Sequence, residues 1–330
     1  MARRPFVLPA LALVLLTAGC GTDQDALHPA SKPAHEIANL WWAMMIGAWA
    51  GLGIVVLLLV LAWARRRRTG MRGGDRAAMR VVVVGGIVVP IAVLVTLFVV
   101  SDLVVIRDTQ APAANATTMT IEVIGHQWWW EVRYPGHRAV TANEIHIPVR
   151  TAIDLKTTTA DVIHSFWVPA LNRKVDTIPD HVNRILLYAD RAGRYRGQCA
   201  EFCGLQHAHM AMVVFAQPRA QFQRWLAHES QPAAAPRSPA ARRGLRVFLS
   251  GACQSCHTIR GTSADGFVGP DLTHVASRTT LGAVTIPNRR HDLADWIVDS
   301  QHVKPGNQMP NIDLRGARLQ ALVTYLEDLK

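Results

Sequence analysis

Two short segments hold most of the chemistry in this chain. The first reads Cys199-Ala-Glu201-Phe-Cys203-Gly-Leu-Gln-His207-Ala-His209-Met210, which gathers thiols, imidazoles and a thioether within twelve residues. Soft sulfur ligands with imidazole favour copper, zinc or an iron–sulfur cluster. Zinc sites are built from Cys, His and carboxylates, so Met210 argues against zinc. Two Cys four apart do not suit a four-Cys cluster. A further His upstream completes a site, and His164 in HSFWVP is the leading candidate, flanked by Phe166, Trp167 and Pro169. The competing readings are a Cys199–Cys203 disulfide and a single zinc ion. The second segment is Cys253-Gln-Ser-Cys256-His257, the spacing that attaches haem through two thioethers with the adjacent His on the iron. Met309 is the one Met after residue 212 and stands as the sixth ligand, with His274, His291 and His302 as rivals.

These groups must be carried by something, and composition bounds it. The chain has 330 residues, half of them hydrophobic and only 18% charged. Soluble domains carry ~25% charge, so a disordered chain is excluded and a plain cytosolic protein disfavoured. Five Cys are too few for a disulfide scaffold. Residues 1–19 have two early Arg, an apolar run and small residues before Cys20, a secretory signal with a lipidation site at Cys20. Residues 41–63 and 81–100 are free of charge and long enough to span a bilayer. Trp41, Trp42 and Trp63 stand at the ends of the first as interface anchors. Between the spans, Arg65, Arg66, Arg67, Arg68, Arg72, Arg76 and Arg80 oppose one acid, Asp75. A short loop this basic belongs on the cytoplasmic side. Residues 36–107 therefore form a transmembrane hairpin, and everything after Ser101 is external. Much of the net charge of +11 is then topological, and nucleic-acid binding is excluded.

Beyond the hairpin, residues 118–123, 144–149, 152–158, 184–188 and 210–215 are short β-branched or alternating runs between turn residues, and 221–228 reads as a closing helix. This spacing predicts an all-β sandwich or barrel over 115–229. Residues 230–243 form a Pro/Ala linker of the semi-rigid kind. Helices are expected at 241–249, before the CxxCH motif, and at 314–329, closing the chain.

The motif CAEFCGLQHAHM, with HSFWVP upstream and GHQWWWEVRYP near the start of the external part, closely resembles subunit II of haem–copper cytochrome c oxidases. The resemblance covers about residues 36–229. It implies a cupredoxin barrel carrying a binuclear copper centre, CuA. In that pattern Cys199 and Cys203 bridge both coppers, and His164 and His207 each bind one. Met210 is a weak ligand on one copper, and the backbone carbonyl of Glu201 is its counterpart on the other. The Glu201 side chain helps bind Mg²⁺ at the border with subunit I. Trp128 matches the electron-entry Trp, while Trp129 and Trp130 read as barrel packing. His126, His137, His146, His181 and His209 read as loop or packing residues.

Residues from about 241 to 330 resemble a class I cytochrome c, which implies an all-α domain over 244–330. Gly244 and Phe248 match its first helix, where Gly permits close crossing by the helix bearing Leu322 and Tyr325. All five Cys are then assigned, to lipid, copper and haem. The whole resembles subunit II of a caa-type oxidase of a Gram-negative bacterium. That implies a two-pass inner-membrane protein with periplasmic CuA and cytochrome domains, and subunits I and III as partners. It also implies a soluble cytochrome c or other donor, oxygen reduction on subunit I and coupled proton translocation. One departure stands out. Residues 80–90 hold no acid where the family usually places a Glu at a proton-path mouth, and Glu36 lies on the outer side. The alternatives are a CuA-bearing nitric oxide reductase subunit and a free-standing membrane-tethered electron carrier.

Overall fold

The computed structural model describes residues 24–66, 75–113 and 116–330. The signal segment, Cys20, and Arg67, Arg68 and Arg72 of the basic loop lie outside the described residues. The first charge-free run lies within helix α1 (Lys32–Arg66) and the second within α2 (Arg76–Thr109). Both are long and apolar enough to cross a bilayer, and the rest of the chain covers none of their most apolar stretch. Pro90 has no N–H and crowds the carbonyl one turn before it. The helix accommodates it with a π-turn at Val84–Val88, where the Val89 N–H reaches the Val84 carbonyl. The start of α1 meets the end of α2, with Lys32 Nζ 2.9 Å from Asp108 Oδ2. The same end is tied to the next domain, since Ala30 N–H donates to Ala170 O and Asp190 N–H to Ala30 O, both at 2.8 Å.

Ten short strands follow among the described residues. They are β1 (Met119–His126), β2 (Trp129–Arg133), β3 (Val140–Ala142), β4 (Glu144–Pro148) and β5 (Ile153–Thr159), then β6 (His164–Trp167), β7 (Val175–Thr177), β8 (Asn183–Leu187), β9 (Gly193–Cys199) and β10 (Ala211–Gln217). They form two five-stranded sheets, ordered β3-β2-β1-β5-β8 and β4-β10-β9-β6-β7. Pairing is antiparallel except β1 with β5 and β4 with β10. Alternation turns one face of each sheet inward. Ile121, Val123 and Leu155 of the first sheet share a core with Ile145, Phe166 and Val214 of the second, around the fully buried Trp130. Helix α3 (Arg219–Glu229) closes this core with Phe222 and Leu226.

The last region is helical: α4 (Pro239–Ser250), α5 (Cys253–Cys256), α6 (Arg290–Val298), α7 (Ser300–Val303) and α8 (Gly316–Asp328). Helix α4 begins inside the stretch read as linker. Ser238 Oγ accepts from Ala241 N–H at 3.0 Å and Pro239 sits in the first turn, a strong start signal. Residues 239–243 are therefore helix. Helices α4 and α8 cross at Gly244, where a Cβ would lie 2.0 Å from Ala321 O and 2.6 Å from Tyr325 Cβ. Phe248, Leu322, Tyr325 and Leu326 pack around that crossing.

The β domain and the helical domain are in contact. Glu144 Oε1 accepts from Thr279 N–H at 2.7 Å and from Thr279 Oγ1–H at 2.6 Å. Arg260 Nη2 donates to Glu229 O at 2.7 Å.

Candidate functional site

Strand pairing assembles the sulfur site. β6 lies beside β9 with Phe166 opposite Cys199, and Ala200 N–H donates to Ser165 O at 2.9 Å. That register carries His164, 35 residues upstream, to the end of β9. Cys199 N–H donates to Met210 O at 2.9 Å, so the loop from Cys199 to Met210 closes on itself. Gly204 is needed in that loop. Its φ is +112°, and a Cβ there would come 3.1 Å from Trp128 Cζ2.

The side chains converge accordingly. His164 Nδ1 is 3.9 Å from Cys199 Sγ, which is 3.8 Å from Cys203 Sγ. Cys203 Sγ is 3.6 Å from His207 Nδ1 and 3.8 Å from Met210 Sδ. The Glu201 carbonyl oxygen lies 3.2 Å from Cys199 Sγ, while its side chain is exposed. A sulfur separation of 3.8 Å excludes a disulfide, which needs ~2.05 Å. Metal–thiolate bonds of ~2.3 Å can span it, and two soft thiols, two imidazoles and a thioether fit copper. Burial keeps water out, with His164 and Met210 fully covered and both Cys below 5% exposed. The thiols share one electrostatic problem. The hydrogen bond from Cys203 holds the Cys199 thiol far below its ordinary range. That partnership pushes Cys203 up.

Sequence reading missed Asp161. Its Oδ1 lies 2.8 Å from His164 Nε2, and it accepts the Gln127 and Val162 N–H groups, each at 2.6 Å. Burial opposes its ionisation, but the His164 and backbone hydrogen bonds prevail and lower its pKa. The arrangement turns Nδ1 of His164 toward Cys199, the carboxylate–histidine pattern seen behind metal ligands. The signal in the sequence was an acid three residues before His164, on a turn. Gln127 was missed as well. Gln127 Nε2 and Trp128 Nε1 both donate to Cys203 O, at 2.8 and 2.9 Å.

A crevice between the domains holds the second set. Cys253, Cys256, His257 and Met309 line it on the helical side, and Trp128 and Trp129 on the β side. His257 Nδ1 donates to Pro270 O at 2.8 Å, so Nε2 keeps its lone pair. Burial lowers the His257 pKa, which favours that neutral form. Two thiols, a neutral imidazole and a thioether on one crevice fit a covalently held haem. His291 and His302 are exposed, and both ring nitrogens of His274 are occupied by the carbonyls of Lys330 and Gln231, at 2.8 and 3.0 Å. None of the three lines the crevice. His228, Glu229 and His274 also cluster, but that use of both His274 nitrogens leaves no complete metal set.

The remaining aromatics divide by role. Trp130 is core, edge-on to His164 and Phe166 at 5.8 and 5.9 Å. Trp129 stacks on His126 at 4.3 Å, and His146 stacks on Trp225 at 4.0 Å.

Comparison with known proteins places these features in context. Residues 137–217 match the family described as cytochrome c oxidase subunit II, periplasmic domain, and residues 241–330 match cytochrome c. Cytochrome c oxidase subunit 2 of Alkalihalophilus pseudofirmus is 31% identical over 335 residues, covering 98% of this chain and 96% of that protein. The subunit 2 of Bacillus sp. strain PS3 is 28% identical, with 96% and 95% covered. The crystal structure of the periplasmic domain of cytochrome oxidase subunit II of Bradyrhizobium japonicum is 30% identical. It covers 36% of this chain and 96% of that one, at a TM-score of 0.34.

Proposed function

The chain belongs to the cytochrome c oxidase subunit II family, and from that premise we propose that it is the electron-entry subunit of a caa-type oxidase. In this reading electrons pass from a soluble cytochrome c or other donor, through a covalent haem and a binuclear CuA centre, to the oxygen-reducing site of subunit I, with coupled proton pumping. The chain is a two-pass membrane protein. The proposal places it in the bacterial inner membrane with both external domains periplasmic, Cys20 lipidated, and subunits I and III as neighbours.

The residue roles follow. Cys199 and Cys203, with His164 and His207, would hold the copper centre, and Met210 and the Glu201 carbonyl would complete its donor set. Cys253 and Cys256 would attach the haem, and His257 and Met309 would ligate it. The exposed Glu201 carboxylate is available for Mg²⁺ at the subunit I border. When bound, the copper centre and the haem each take up and release an electron, and neither offers a position for substrate.

The protein's own groups do the rest. Asp161 orients the His164 ring, and Pro270 orients that of His257. The sandwich excludes water from both thiols. Trp128 is the electron entry to the copper site, because the residue lines the crevice and its Nε1–H donates to the carbonyl of Cys203. That shared crevice is the observation that carries the reading. It supports the reading because Trp128, which lines the crevice with Cys253, Cys256, His257 and Met309, is hydrogen-bonded to Cys203.

Purification with its partners, followed by turnover on oxygen and on nitric oxide, tests the proposal. Oxygen consumption with a haem–copper subunit I supports it. Turnover of nitric oxide alone identifies a reductase subunit, and the absence of any large membrane partner identifies a free-standing carrier. Either result overturns the oxidase assignment.

A further inference from the structure

We propose that Lys304 is the positioning residue that seats the haem crevice on the copper loop; the inference rests on the reading of the two centres above.

Lys304 caps α7 of the helical domain and is only 3% exposed. Its Nζ donates across the domain boundary to Trp128 O and to His209 O, both at 3.0 Å. Those carbonyls belong to the two segments that frame the copper site. Trp128 is bonded to Cys203 O, and His209 directly precedes Met210. Among the described residues no carboxylate lies within ion-pair distance of Nζ. A buried ammonium is usually paired with an acid. Here backbone carbonyls of the other domain take that place, so these two bonds exist only while the domains touch.

Burial pushes the ammonium down to about 8. The neighbouring residues make the same contact. Gln206 Nε2 donates to Pro305 O at 2.5 Å, and Leu205 lies over Gly306, where a Cβ would come within 2.8 Å of Leu205 Cδ1. Residues 304–306 thus sit on 205–209 as one patch.

The patch is tied to the haem loop. Asn307 Nδ2 donates to Lys304 O at 2.7 Å, and Asn307 Oδ1 accepts from Met309 N–H at 2.8 Å. Where Lys304 sits therefore sets where Met309 sits relative to Trp128. A linker raises the chance of encounter but does not orient the partners. Glu144–Thr279 and Arg260–Glu229 hold the other side of the boundary, and near the indole Lys304 is joined by the Gln206–Pro305 bond and by the Ala211 N–H donating to Ala283 O at 3.4 Å.

The test uses the full chain in lipid nanodiscs, metal-free and loaded. Amide hydrogen exchange is followed by mass spectrometry in wild type, Lys304→Met, Lys304→Gln and Lys304→Arg. Loss of one charge-assisted anchor should speed exchange about tenfold or more in Lys304→Met. The gain should appear in residues 204–211 of the β domain together with 304–310, and not in β1 or α8. In the loaded chain, transfer from photoreduced haem to oxidised copper should slow with both spectra intact. Lys304→Arg should restore most of both, and Lys304→Gln should show a smaller loss should the methionine variant fail to fold. Unchanged exchange at 204–211 when only 304–310 loosens would make Lys304 a support of its own loop and overturn the inference. A wild-type chain that gains neither metal spectrum overturns the reading of the centres instead, while the exchange result still decides the contact.

Discussion

Removing the Asp161 carboxylate isolates what the chain does behind its copper ligands. In Asp161→Ala, His164 Nε2 loses its acceptor at 2.8 Å; Asp161 stands at the surface, so water can take its place but does not fix the ring's orientation. Losing a ligand's outer partner typically weakens metal binding 10–100-fold, or about 1.4–2.7 kcal/mol. The Gln127 and Val162 N–H groups add little, because their bonds to Asp161 lie in exposed surroundings. Asp161→Asn keeps an acceptor for the ring and should weaken copper less than tenfold. Metal-free full chain is titrated with copper against a competing chelator, followed by absorption and paramagnetic resonance. A parallel melt of the metal-free protein separates lost fold from lost affinity. Copper binding within twofold of wild type, with an unaltered spectrum, in a folded Asp161→Ala would refute the argument that this carboxylate aims His164.

Three further outcomes follow from particular contacts. Gly244→Ala drives a Cβ to 2.0 Å from the Ala321 carbonyl. Overpacking this close to a backbone carbonyl falls in the upper part of the range of about 1–3 kcal/mol, and less the ~1 kcal/mol that Ala gains in a helix it leaves a loss of about 1–2 kcal/mol. Calorimetry should show the helical domain melting up to about 8–16 °C lower, and an unchanged transition counts against the crossing. Glu144 is pulled below its ordinary value of 4.5, because the His146 and Thr279 hydrogen bonds outweigh burial. A lowered folded pKa means its stabilisation of the domain contact is fully present above pH 4.5 and is lost as pH falls through the folded value. Protection of the Thr279 amide, taken against its intrinsic exchange at each pH, should therefore fall on acidification below pH 4.5 in wild type but not in Glu144→Gln. Cys203→Ser should abolish the binuclear copper spectrum while membrane insertion persists, and retention of an intact mixed-valence signal removes Cys203 from the ligand set.

The strands show where the sequence was legible and where it was not. β1 and β5 alternate or carry β-branched residues, so their pattern is visible without a partner. β9 reads GRYRGQC, with two Gly and several polar residues. It is extended because β10 and β6 pair with it on both sides, a context effect that outweighs propensity. β6 is four residues long, too short for any period to emerge.

The same division runs through the functional groups. Cys199, Cys203, His207 and Met210 were readable because a single loop holds them. Cys253, Cys256 and His257 were readable for the same reason, since local spacing alone limits what such residues can bind. His164 was a candidate by sequence, but only the β6–β9 register placed its ring beside Cys199. Asp161, Gln127 and Lys304 carry no local signal strong enough to single them out. Their roles come from partners 3, 76 and 176 positions away. Residue types and short spacings are properties of the chain. Which acid aims an imidazole, and which buried ammonium joins two domains, depends on distances that exist only once the sheets have paired and the domains have closed on each other.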